Sequence, residues 1–270
     1  MRTTAVTGSA SGIGAALTRQ LRAAGERVIG IDLMDADVCA DLGSPAGRSQ
    51  ALQQLRAFSG GCLDALVTCA GVSSAVHDEA RVLAVNYFGT AELLRELRAD
   101  LARGTRPAAV VISSWALLQA TPRPEAIAAC LAFDEALALQ LVTADPRVGE
   151  IWPAYATAKN ALARLVRAWA PSPEWAGSGI TLNALVPAAT RTPMIARHLA
   201  TPEGTQALLA ATPSPTGRIA EAEDIAEPAA FLASGRARHL SGQVIFVDGG
   251  LEARRRPFDA LEPLPPERWR

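Results

Sequence analysis

One parallel β-sheet with helices on both faces, a doubly wound α/β domain, is the architecture this sequence predicts. Three observations predict it. Short runs rich in Val, Ile and Ala recur along the chain without the polar alternation of a sheet that faces water. Stretches with helical spacing separate those runs. No repeat, low-complexity tract or flexible linker divides the 270 residues, so the pattern reads as a single domain.

The elements follow in order. "TTAVT" (3–7) is a strand, with small or β-branched residues throughout. "GAALTRQLRAAG" (14–25) places its apolar residues at helical spacing and ends on a glycine. "RVIGID" (27–32) is the second strand, "RSQALQQLRAF" (48–58) a helix and "DALVTCAG" (64–71) a strand. A long helix is predicted from Glu79 to Arg103, then the strand "AAVVISS" (108–114). The series resumes with a helix over 153–170, the strand "ITLNALV" (180–186), a helix from Ala222 to Leu232 and the strand "QVIFVD" (243–248). Two additions elaborate the single domain: a helical insert at about 116–151, within residues 1–250, and a tail at 251–270 after it. In the insert, Ile127, Leu131, Ala138 and Leu141 fall at helical spacing behind Pro-bounded starts.

Composition excludes several partners. A net charge of -1 gives no electrostatic reason to expect nucleic acid or an anionic membrane surface. Arg254, Arg255 and Arg256 form one local basic run, read as a solvated surface. No apolar stretch approaches the ~20 residues of a membrane helix. "MRTTAV" leads directly into the first strand, with no room for a signal peptide. Cys39, Cys62, Cys69 and Cys130 form no C-x-x-C pair, so reduced thiols and a cytoplasmic location are expected. His77, His198 and His239 lack ligand-like spacing, and no metal site is expected.

"TGSASGIG" (7–14) joins the first strand to the first helix, with glycines at 8, 12 and 14. Such a turn brings backbone close to a pyrophosphate and aims free helix N–H groups at it. Eighteen residues beyond Gly14, the second strand ends in Asp32, whose carboxylate can accept hydrogen bonds from ribose hydroxyls. That carboxylate would repel a 2′-phosphate, and neither Ser11 nor Leu33 is a cation that could bind one. The reading is a Rossmann-type site for NAD rather than NADP.

The segment "AYATAKNAL" (154–162) holds the one lysine among 26 basic residues. Tyr155 and Lys159 are four apart in a helical pattern, hence on one face. With two tyrosines in the chain, chance would give this spacing roughly once in a hundred such sequences. A phenol with pKa ~10 is a poor acid–base catalyst at neutral pH, and a nearby ammonium would bring it down. Lysine is a compact point charge, and arginine's planar fork does not replace it in that role.

Together "TGSASGIG", Asp32, "CAG" (69–71), Asn86, Ser114 and "YATAK" (155–159) resemble the short-chain dehydrogenase/reductase family over residues 2 to 250 or so. "GIDLMDADVCADL", "VNYFGTAELL", "PAAVVISS", "AYATAKNAL" and "FVDGG" resemble its bacterial 3α-hydroxysteroid dehydrogenase/carbonyl reductase type. The resemblance implies an NAD(H)-dependent enzyme that interconverts a secondary alcohol and a ketone. It implies a tetrad: Tyr155 as acid–base residue, Lys159 as its activator and ribose anchor, Ser114 on the substrate oxygen, and Asn86 supporting a water that relays protons to Lys159. Ser113 competes for the serine role, and Asn86 has an alternative as a helix-bending residue. Cofactor contacts are implied at Gly8, Ser11, Gly12, Ile13, Gly14, Asp32, Cys69, Ala70 and Gly71. Asp41 and Leu42 match a pair that flanks adenine. Thr192 matches the threonine that holds the nicotinamide carboxamide, with the Thr190 backbone beside it. A homodimer or homotetramer is the family expectation.

Two positions depart from the family pattern. Cys69 replaces the usual Asn before Ala-Gly, and Ala188 replaces the usual Gly after Pro187. If residue 188 needed a positive φ, alanine would be disfavoured there; otherwise its methyl trims the pocket. Ser114 and Tyr155 are 41 residues apart, more than the family commonly has, because the insert lies between them. It is expected to serve as pocket wall or as dimer surface. Residues 193–212 resemble the family's substrate lid, with Met194, Ile195 and Leu199 suggesting an apolar pocket. That suits a small apolar alcohol or ketone: a hydroxysteroid, with a terpenoid or polyketide alcohol as rival. A catalytically silent NAD-binding regulator is the rival of another class.

Overall fold

The computed structural model describes residues 1–118, 122–148 and 153–258. Seven parallel strands form one sheet in the order β3-β2-β1-β4-β5-β6-β7. They are β1 Thr3–Thr7, β2 Arg27–Asp32, β3 Val38–Cys39, β4 Ala65–Thr68, β5 Ala108–Ile112, β6 Thr181–Pro187 and β7 Val244–Val247. Adjacent residues of β1 serve opposite faces: Ala5 joins one core and Val6 the other. Burial on both sides explains why the strands read as near-continuous apolar runs.

On the Val6 face, α1 (Gly12–Ala23) packs against α10 (Ala222–Ala233) through Leu17, Leu21, Ile225 and Leu232. The Ala5 face carries α2 (Pro45–Ser59), α3 (Glu79–Leu83), α4 (Gly89–Ala102) and α7 (Pro153–Trp169). Helix α2 starts three residues before the predicted one. Pro45 sits at its first position and Ser44 Oγ accepts from Gly47 N, a proline-led start that resembles a loop in sequence. The predicted helix 79–103 is interrupted: Ala84–Phe88 widens into a π-helical segment between α3 and α4. Strand β3, two residues long, is too short to show a period.

The insert supplies α5 (Pro124–Leu131) and α6 (Glu135–Thr143), which pack on α7 and α3 respectively. Ile127 and Ala138 are buried as their spacing predicts, Leu141 is half-buried and Leu131 is exposed. Arg48 of α2, almost fully buried, bonds both Glu92 of α4 and Glu135 at the start of α6. That fastens the insert to the sheet-covering helices.

Beyond β6 lie α8 (Ala196–Leu199) and α9 (Pro202–Ala211). After β7, Asp248 accepts from Gly250 N and Glu252 N and starts α11 (Leu251–Arg255), whose Leu251 is buried. Of the basic run, Arg254 and Arg255 are exposed, but Arg256 pairs with Glu252 and lies over the Phe246 ring. The rest of the predicted tail, from 259, lies outside the described residues. No described helix is long and apolar enough to cross a membrane.

Strand order reverses between β1 and β4, which opens a crevice at the carboxyl ends of the strands.

Candidate active site

At one end of the crevice β1 stops at Thr7 and the chain turns over Gly8. Its φ is +68°, and a Cβ there would lie 2.8 Å from the Ala70 backbone nitrogen. No other residue fits both conditions. Helix α1 begins at Gly12; Ser11 before it is extended and makes no side-chain cap bond. The first N–H groups therefore keep their capacity for an oxyanion. Asp32, at the end of β2, is held in place by Ala10 N at 2.9 Å and Leu33 N at 2.7 Å.

A cavity of about 650 Å³ extends from Asp32 past this turn to Tyr155. Every residue proposed from sequence for cofactor or chemistry lines it except Asn86. Its volume falls within the range of small-molecule and cofactor sites. At its far wall the Thr192 hydroxyl donates to Thr190 O, and the Thr190 hydroxyl donates to Ala188 O.

At the Tyr155 end, the serine pair divides its tasks. Ser113 is buried and its Oγ donates to Lys159 O at 2.9 Å, committing it to the backbone of α7. Ser114 faces the cavity within hydrogen-bonding reach of the Tyr155 phenol. Burial holds the phenol above its ordinary pKa, and the Ser114 bond pulls the other way. The sequence had suggested that Lys159 would bring the phenol down. Instead Lys159 Nζ donates to Ile112 O at 3.0 Å and lies 5.6 Å from the centre of the Tyr155 ring, where burial of the phenol dominates. Burial lowers Lys159 itself to about 8. Tyr87, the other tyrosine, is fully buried in the core.

The two departures prove mild. Burial pushes the Cys69 thiol up to about 12, so it lines the cavity as a neutral group. Ala188 is not among the described non-glycine residues with positive φ, and its side of the chain forms cavity wall.

Asn86 lies in the π-helical segment, fully buried. Its Nδ2 donates to Val72 O at 2.9 Å and to Val82 O, one turn back, at 2.8 Å. The second bond occupies a carbonyl of α3 just before the widened segment, as a helix-bending residue would. Its Oδ1 is buried with no hydrogen-bond partner among the described residues. A Cβ on Gly71 would lie 2.6 Å from that oxygen and 3.8 Å from Lys159 Nζ, so glycine keeps the approach between them open.

Two further residues had no signal in the sequence. Glu79, buried at the start of α3, accepts from Ala154 N at 2.6 Å and so caps the helix that carries Tyr155 and Lys159. Its burial raises its carboxyl pKa. Arg81, also on α3, lines the cavity and pairs with Asp41. An acidic residue opening a helix and an arginine inside one are ordinary sequence features; their partners, 75 and 40 positions away, are not.

Met194, Ile195, Arg197, His198 and Leu208 of the segment after Thr192 line the cavity, whereas Leu199 does not. The expected apolar lid face is therefore mixed with the polar side chains Arg197 and His198. Among the described residues of the insert, Ala116 alone reaches the cavity, so α5 and α6 are not its wall. No group of metal-ligating side chains occurs among the described residues.

Comparison with known proteins gives consistent matches. A family profile described as short chain dehydrogenase matches residues 2–130, and one described as enoyl-(acyl carrier protein) reductase matches 136–252. The chain is 39% identical over 254 residues to a 3-alpha-hydroxysteroid dehydrogenase/carbonyl reductase of Comamonas testosteroni, covering 93% of this chain and 97% of the other. It is 30% identical over 275 residues to a cis-4-hydroxycyclohexanecarboxylate dehydrogenase of Sinomonas cyclohexanicum, covering 93% and 97%. The crystal structure of a 3-alpha-hydroxysteroid dehydrogenase from Pseudomonas sp. B-0831, complexed with NADH, superposes with a TM-score of 0.84 at 41% identity, covering 94% and 98%.

Proposed function

This chain belongs to the short-chain dehydrogenase/reductase family of oxidoreductases, and we propose that it interconverts a bulky apolar secondary alcohol and its ketone with NAD(H). One observation carries the reading: a single cavity joins Asp32 and the Gly8 turn at one end to Ser114, Tyr155 and Lys159 at the other. The residues fit a dinucleotide on structural grounds. A side chain at Gly8 would fill the turn, the start of α1 has free N–H groups, and Asp32 offers a carboxylate to ribose hydroxyls while repelling a 2′-phosphate. Gly8, Ser11, Gly12, Ile13 and Gly14 would hold the pyrophosphate, with Thr190 and Thr192 at the nicotinamide.

When bound, the nicotinamide supplies the site's hydride chemistry. Ser114 holds the substrate oxygen beside Tyr155, and the phenol oxygen takes the hydroxyl proton during oxidation or returns it during reduction. Lys159, placed over the ring by its bond to Ile112 O, anchors ribose beside the phenol. Asn86 directs its unpartnered oxygen towards the approach to Lys159, the place for a water that passes the proton on. Val72, Trp115, Met194, Ile195 and Leu208 give the substrate end an apolar lining, and a 3α-hydroxysteroid-like alcohol is the preferred substrate class. Residues 193–212 act as its lid.

The test is NADH formation with NAD, then NADP, against steroid, terpenoid and aromatic secondary alcohols. Turnover on a steroid with NAD is expected. Tyr155→Phe should reduce it by about 10²–10⁴-fold while leaving NADH binding intact. Turnover surviving in Tyr155→Phe would sink the assignment. NADH binding without any turnover would favour a regulator.

A further inference from the structure

The resemblance to the family suggested Asp41 as a neighbour of adenine, and the structure shows that the protein engages both its oxygens. Oδ1 accepts from Gly43 N at 2.9 Å, and Oδ2 accepts from Arg81 Nη1 at 2.6 Å. The two side chains are 34% and 39% exposed for Arg81 and Asp41, and both line the cavity. The backbone that carries Arg81 is fixed, because the Arg81 backbone N–H donates to the Asp78 side chain that caps α3. Two bonds from different directions fix the plane of a carboxylate, and each oxygen keeps a second lone pair.

We propose that Arg81 is a positioning and specificity residue of the nucleotide end: it clamps Asp41 so that the carboxylate accepts the 6-amino group of adenine. The inference rests on the NAD(H) reading above. Without Arg81 the carboxylate is held by Gly43 alone and free to swing. Its charge would also stand uncompensated in a cleft that binds a pyrophosphate. The guanidinium holds the Asp41 carboxyl below its ordinary range, which keeps it an acceptor. A 6-amino group donates and a 6-oxo group does not, so the same clamp disfavours hypoxanthine.

The experiment titrates NADH and reduced nicotinamide hypoxanthine dinucleotide, by fluorescence, into wild type, Arg81→Met, Arg81→Lys, Asp41→Asn and the double variant Asp41→Asn/Arg81→Met. Steady-state kinetics accompany each titration. Wild type should prefer NADH. Arg81→Met should weaken NADH by about three- to tenfold, weaken the hypoxanthine analogue less, and raise KM for NAD rather than lower kcat. Arg81→Lys should recover part of the loss. The double variant should lose no more than the worse single one, since the pair acts as a unit. Equal weakening of both nucleotides, losses that multiply in the double variant, or NADH binding unchanged in Arg81→Met would each overturn the proposal. Should Arg81→Met not fold, Asp41→Asn decides: it must narrow the preference for NADH over the analogue. A wild type that binds neither nucleotide removes the NAD(H) reading and this inference together.

Discussion

Lys159 sits almost fully buried, and its pKa is held at about 8 against an ordinary 10.5. Above pH 10.5 it is neutral in both the folded and the unfolded chain. As pH falls from 10.5 towards 8 the unfolded chain takes up the proton first, so the folded state loses relative stability, by on the order of 3 kcal/mol. Lys159→Met removes that loss, and the missing Nζ–Ile112 O bond returns about 1 kcal/mol of it. The variant should be inactive yet more stable at neutral pH, with the gain shrinking as pH rises through 8 to 10.5. Urea unfolding at several pH values checks this; a pH-independent gain contradicts it. The Tyr155–Lys159 spacing and the strand-end Asp32 were legible because each is a local pattern. The preference for Ser114 over Ser113 came from the family resemblance and not from a local pattern, because a bond from Ser113 to Lys159 O, 46 residues away, turns Ser113 from the site.

Helices α8 and α9 and the short turn before them contain no buried residue. Such a segment opens locally at little cost, as a lid must. Trypsin should therefore cut first after the exposed Arg197, and saturating NADH with substrate should slow that cut. Mass spectrometry of the first fragments decides it, and cleavage elsewhere first would contradict the lid role. The insert behaves oppositely. Arg48→Met would leave Glu92 and Glu135 without their shared cation and should cost about 2–4 kcal/mol in urea unfolding, with turnover retained. The longer helices and every strand but β3 were legible from their residue patterns. The π-helical turn around Asn86 was not, since a widened turn has almost the same apolar pattern as an α-helix.

The whole molecule should register its cofactor as stability. At a hundredfold excess over Kd, a ligand of the folded state adds about 2.7 kcal/mol, which for a chain of this size raises Tm by about 5–10 °C. NADH should produce that rise and NADPH much less of one, because a 2′-phosphate would meet the Asp32 carboxylate. Equal rises, measured by differential scanning fluorimetry, would contradict the NAD preference. From the sequence alone came the doubly wound class, every strand but the two-residue β3, the glycine turn, Asp32 and the Tyr155–Lys159 pair. Each of these is written in residues a few positions apart. The tertiary structure alone decided that Ala188 needs no positive φ, that α5 and α6 lie away from the cavity, and that α3 reaches Asp41 through Arg81 and the start of α7 through Glu79. Those outcomes depend on bonds and packing between elements that only the folded sheet brings together, and no local pattern carries them.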